Sequence, residues 1–181
     1  MALEEKLSRL ESILQKHHAP VLQQLQPGRK KEELVAFFEA HGIRPHADLL
    51  RLYTWHNGVK DLYCGSDSVL DLLPMGKFFN LDDLLRMQAD FVEWNYLETG
   101  DPKELVPLFG SGEDDMYLLN TSSGSVYKLS PAANVYGALA FSSLDEMFGF
   151  ILECYDEKIF SIDPEEGLLF DSDKYFAKMP G

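Results

Sequence analysis

The sequence predicts an α+β fold: a mainly antiparallel sheet with helices packed around it, and a helical N-terminal extension. Apolar residues recur at helical spacing in residues 3–53, 81–96 and 143–155. Short apolar runs at 59–63, 69–73, 116–119, 126–129 and 138–141 lie between turn-forming Gly, Ser, Asn and Pro. Short strands with tight turns, interleaved with helices, point to antiparallel or mixed pairing. At 181 residues the chain buries enough surface to need no disulfide or structural metal. Residues 1–26 read as the extension and 27–181 as the main domain with an acidic C-terminal tail.

Leu3, Leu7, Leu10 and Leu14 form one stripe along a helix, with Glu4, Glu5, Lys6 and Arg9 on the other side. Pro20, after His17-His18-Ala19, ends or kinks it, because proline lacks an amide hydrogen and clashes with the preceding turn. The stripe either docks on the body or pairs with another copy. It is too short for a stable isolated coiled coil, which favours docking. After Pro27-Gly28, a helix over about 29–41 buries Leu34, Phe37 and Phe38, and Gly42 suits the left-handed position past its end. Leu49, Leu52 and Tyr53 mark a third helix that Asn57-Gly58 stops.

The texture then changes. Val59–Tyr63 and Val69–Leu73 read as strands. Asn80 suits the N-cap of a helix whose face is Leu84, Met87, Phe91 and Trp94, widened by Leu85, Val92 and Tyr96. Residues 98–102 close it. Met116–Leu119 and Val126–Leu129, joined by a turn containing Gly124, read as a hairpin with Glu113-Asp114-Asp115 leading into it. Ala138–Phe141 adds a strand. Ser143 and Glu146 have capping-box spacing before the stripe Leu144, Met147, Phe148, Ile151, Leu152 and Tyr155. A last helical turn falls near 174–177.

The formal charge is −14, from 16 Lys and Arg against 30 Asp and Glu. Such a surface repels phosphate backbones and anionic membranes, so neither nucleic acid nor membrane is an expected partner. It steers a basic protein toward it, and it also aids solubility. Cys64 and Cys154 form no Cys-x-x-Cys motif and read as reduced, buried thiols. The start of the chain has no apolar signal core, and no apolar run approaches the ~18 residues that span a bilayer. The expected location is the cytoplasm.

Glu113-Asp114-Asp115 is the strongest candidate for oxygen-ligand chemistry, but it lacks the alternating spacing and distal Glu of a calcium loop. A solvated turn suits these residue types better. Asp171-Ser-Asp173 fails the same comparison and suits a helix N-cap. His17, His18, His41, His46 and His56 show no zinc spacing, and His17-His18 suits a helix C-terminus. Gly110-Ser-Gly112 lacks the lysine of a phosphate loop and runs into three carboxylates. No nucleophile motif is present. The expectation is therefore no catalytic residue, no metal and no cofactor. The candidate partner-binding residues are Glu113, Asp114, Asp115, Asp61 and Tyr63. Tyr63 belongs to an aromatic group with Tyr53, Trp55, Phe78 and Phe79, whose exposed members suit an interface.

Four stretches in order resemble the SUKH superfamily, the SMI/KNR-like domain family. They are Leu52-Tyr-Thr-Trp-His-Asn-Gly58; Leu72-Leu-Pro-Met75 followed by Leu81-Asp-Asp-Leu84; Phe109-Gly-Ser-Gly-Glu-Asp-Asp-Met-Tyr117 with Gly124-Ser-Val-Tyr127; and Phe141-Ser-Ser-Leu144. The resemblance covers roughly residues 30–160. It implies an α+β fold without general catalytic residues, and structural roles for Asn57-Gly58 and residues 112–115. It further implies an immunity protein that neutralises a nuclease- or deaminase-type toxin by direct binding. The expected partner is a basic toxin domain, and the expected state is a monomer or weak homodimer. The other reading is a general cytosolic interaction module without a toxin partner, assembling through the Leu3–Leu14 stripe.

Overall fold

A computed structural model describes residues 1–63, 67–94, 101–111 and 115–179. Cys64, Tyr96, residues 98–100, Gly112, Glu113 and Asp114 lie outside the described residues. In chain order the elements are α1 (Leu3–Lys16), β1 (Leu25–Pro27), α2 (Lys31–Ala40), α3 (Ala47–Trp55), β2 (His56–Val59), α4 (Asp67–Leu70), β3 (Asp71–Leu73), β4 (Gly76–Phe78) and α5 (Leu81–Trp94). They continue with β5 (Leu105–Gly110), β6 (Met116–Asn120), β7 (Val126–Ser130), β8 (Val135–Phe141), α6 (Leu144–Asp156), β9 (Phe160–Asp163), β10 (Gly167–Phe170) and α7 (Ser172–Lys178). The fold is α+β. Strands β3 to β8 form a six-stranded sheet in sequence order, each neighbouring pair antiparallel. The pairs β1–β2 and β9–β10 form two small ribbons.

Two expected strands move. The run 59–63 is extended at 56–59 instead, because Asp61 Oδ1 accepts the Tyr63 amide (2.9 Å) and turns the chain. Of 69–73, only 71–73 is a strand; residues 67–70 form a helical turn whose Ser68 hydroxyl donates to the Glu166 carbonyl (2.7 Å). Strand β5 was not expected; Pro107 interrupts its apolar run. It sits where the β5–β6 register shifts, so the ladder tolerates its missing N–H. Leu108, between the displaced pairs, gives its carbonyl to the Phe79 amide instead (2.9 Å). Strands β4, β9 and β10 were also unassigned in the sequence.

The caps follow side-chain chemistry. Ser143 Oγ accepts the Glu146 amide (3.1 Å), while the Glu146 carboxylate reaches one residue past the expected partner, to the Ser142 amide (2.6 Å). The Ser142 hydroxyl also donates to that carboxylate (2.6 Å), and it and the Ser142 amide lower the Glu146 pKa. Asp171 caps α7 by accepting the Lys174 amide (3.2 Å).

Helix α1 docks on the body. Its four leucines are buried and join the same core as the rest of the chain. On its flanks Lys6 pairs with Asp145 (2.7 Å), Arg9 with Asp156 (2.6 Å) and Arg51 with Glu4 (2.7 Å). Lys6 meets the start of α6 and Arg9 its end, so the two helices run parallel. The leucine stripe, expected in one reading to join copies, is occupied within the chain. The core beneath is aromatic: Phe78 stands 5.2 Å from Tyr53, 5.1 Å from Phe109 and 6.4 Å from Trp55 between ring centroids. Tilted and stacked pairs of this kind add about 0.5–1.5 kcal/mol each beyond area burial.

Leu10→Ala should destabilise the fold by about 3 kcal/mol in denaturant unfolding, since the side chain is fully buried. A loss under about 1 kcal/mol would mean that α1 is not docked. Cys154 is likewise fully buried, and burial pushes its thiol up to about 11. With Cys64 replaced by serine, native protein should take up no thiol reagent at mildly alkaline pH, and a full equivalent once unfolded. Fast native labelling would contradict this burial.

Candidate functional site

The site grows from the junction of β2, β4 and α5. Asn80 is nearly buried, and its side chain makes four bonds. Its Oδ1 accepts the amides of Asp82 (3.0 Å) and Asp83 (2.9 Å), capping α5; its Nδ2 donates to the Val59 carbonyl (2.9 Å) and to Asp83 Oδ2 (2.7 Å). Asp83 Oδ1 in turn accepts from Arg86 one helical turn on (2.9 Å). Arg86 then donates to the Tyr63 hydroxyl (3.2 Å) and sets its guanidinium 5.8 Å from the ring centroid. The Tyr63 hydroxyl and Asp83 raise the Arg86 pKa further above its usual value.

Tyr63 is 63% exposed, an unusual state for a large aromatic side chain. Its backbone is fixed from below. Asp61, also exposed, accepts its amide, and Leu62 between them is buried. The chain thus presents Asp61 and Tyr63 outward while anchoring on Leu62.

Lys77 joins this turn to the acidic hairpin. The residue is buried, and Nζ donates to the Leu62 carbonyl (3.0 Å). Its backbone pairs with Asp71 on one side and Gly110 on the other. Gly110 opens the connection that Asp115 closes, with the Ser111 amide donating to the Asp115 carbonyl (3.0 Å). A side chain at Gly110 would collide with that carbonyl. Asp115 therefore closes the connection between β5 and β6. Glu113 and Asp114 fall outside the described residues; Asp115 does not.

Asp115 is half-buried, and its Oδ1 has no hydrogen-bond partner among the described residues. It adjoins Tyr117, whose hydroxyl lies 3.4 Å from that of Tyr175. Burial raises the Tyr117 pKa, the Tyr175 bond opposes this, and the Asp115 carboxylate adds to the rise. Among the described residues, no three of His, Cys, Asp and Glu converge where a metal ion would sit. No helix among them is long and apolar enough to cross a membrane.

The histidines have local tasks. His46 Nδ1 accepts the Asp48 amide (3.2 Å) and caps α3. The His56 ring packs against Trp55, with Nδ1 3.0 Å from the Gln26 carbonyl. The Gly58 backbone presses on residues 79 and 80, and its φ of +69° suits glycine. Lys77 and Arg86 belong to this group although no motif contains them. Arg86 carried a signal, a cation three residues after Asp83 on a helix. Lys77, between Gly76 and Phe78, carried none.

No protein-family model matches the chain, and no curated protein matches it either.

Proposed function

We propose that this chain is a non-catalytic protein-binding domain of the SUKH type, an immunity protein that neutralises a basic toxin by direct binding in the cytoplasm. The observation that carries the reading is Tyr63, an exposed aromatic residue held by Arg86 and flanked by Asp61 on a chain of charge −14. Tyrosine and arginine dominate interface hot spots, because they bury large area with few rotors to freeze. Long-range attraction speeds the approach of a basic partner, and the fixed ring then needs little ordering. A toxin that cleaves or deaminates nucleic acid presents a basic substrate groove, which an acidic face of this kind would occlude.

The test looks for a secreted toxin encoded beside this gene. Its purified toxin domain should form a stoichiometric complex with the full chain and lose activity in it. Tyr63→Ala should weaken the complex about 30-fold or more, as loss of a hot-spot residue does. Arg86→Ala should weaken it less, through loss of ring orientation. Asp61→Asn should slow association and flatten its salt dependence. No complex and no protection would refute the immunity reading. Full affinity in Tyr63→Ala would move the interface elsewhere.

A further inference from the structure

The parallel helices α1 and α6 end side by side and open a cleft of about 480 Å³, within the range of small-molecule sites. Tyr155 and Phe160 give it an apolar floor, and Arg9, Lys16, His17 and Lys158 stand at its rim. The one carboxylate in the lining, Asp156, is already held by Arg9 at 2.6 Å. Three permanent cations against one carboxylate make this a positive pocket on a strongly negative protein.

Cations at helix C-termini offset the negative ends of the dipoles, which accounts for part of the cluster. Two features go beyond that. First, three of the four terminal carbonyls of each helix already have partners. Ile13, Leu14 and Gln15 accept the amides of His17 (3.1 Å), Ala19 (2.9 Å) and His18 (3.2 Å). Glu153, Cys154 and Tyr155 accept those of Glu157 (2.9 Å), Ile159 (2.8 Å) and Lys158 (3.2 Å). The side chains of Lys16, His17 and Lys158 make no hydrogen bond or ion pair among the described residues. The side chains of Lys16 and Lys158 are therefore donors that the capping of these helices leaves unused. Second, Lys158 has a φ of +56°, the left-handed position past a helix end where glycine is favoured. A lysine stands there at a backbone cost.

We propose that this cleft binds a small organic anion, a phosphate or carboxylate group carrying an aromatic or aliphatic part. The anionic head sits among Lys16, His17 and Lys158, and the apolar part lies on Tyr155 and Phe160. Both helix dipoles oppose a bare anion, so the apolar contact is needed for useful affinity. The cleft shares no residue with the Tyr63 end and does not depend on the toxin reading.

The test is an NMR titration of the full chain with phenyl phosphate, phenylacetate and inorganic phosphate at constant ionic strength. Phenyl phosphate should shift amides of residues 13–18 and 155–162 saturably, with a Kd of about 1 mM or below. Phenylacetate should bind the same amides if the head group is read only as an anion, and inorganic phosphate about tenfold more weakly than phenyl phosphate. Lys16→Gln and Lys158→Gly should each weaken phenyl phosphate several-fold. Lys158→Gly should keep or raise the thermal midpoint, because glycine relieves the backbone. Three results would overturn the proposal: no saturable shift of those amides by ~10 mM, equal binding of inorganic phosphate, or undiminished binding in the double variant.

Discussion

The amide side chain of Asn80 is the joint on which fold and candidate site both depend. An asparagine side chain offers two donors and one acceptor oxygen with two lone pairs. Here Oδ1 caps α5 while Nδ2 ties β2 to Asp83. From Asp83 the chain of contacts runs through Arg86 to Tyr63. No apolar residue of that size performs both tasks, and aspartate would set a negative charge against the Val59 carbonyl. The junction around it is closed by backbone contact. Gly58 leaves no room for a side chain beside residues 79 and 80, and the buried Tyr53 hydroxyl donates to the Phe79 carbonyl (2.8 Å). Burial holds that hydroxyl well above its usual pKa, with Asp83 adding to the effect, so it remains a donor.

The helices were legible because their signals are local. The leucines of α1 and the apolar stripe of α6 announce themselves by spacing, and Asn80, Ser143 and Asp171 announce helix starts by side-chain chemistry. The strands were less legible, because burial removed their alternation. Every residue of β5 and of β3 is buried, so neither shows a period of two. Pro107 masked β5 further, since only the register shift beside it reconciles a proline with a paired strand. The Asp61 turn cut short a run that composition alone extends to Tyr63.

The site was legible in part for the same reason. Exposed Tyr63 and the acidic residues are visible as residue types. Their support is not, because it arrives from distant segments: Arg86 lies 23 residues along the chain from Tyr63, and Lys77 lies 15 from Leu62. The acidic stretch reads as a charged approach to one hairpin until β5 is recognised. With β5 in place, Asp115 follows a strand that pairs with Lys77 through Gly110.

Charge is distributed unevenly in a way that net composition hides. Most carboxylates near α1 are spent on pairing: Glu4, Asp145 and Asp156 each hold a cation of a neighbouring helix. Such exposed pairs contribute little each, about 0–1 kcal/mol. Their larger effect is to fix the parallel register of α1 on α6, which brings two helix C-termini together. Parallel dipoles side by side repel, and cations at that end relieve the repulsion. The same register that docks the N-terminal helix therefore obliges the chain to gather positive charge at one end. Elsewhere Asp61 and Tyr63 stand exposed beside Lys60 and Arg86, the latter neutralised by Asp83. An acidic chain thus carries a positive cleft, and its cations answer a packing requirement before any ligand is considered.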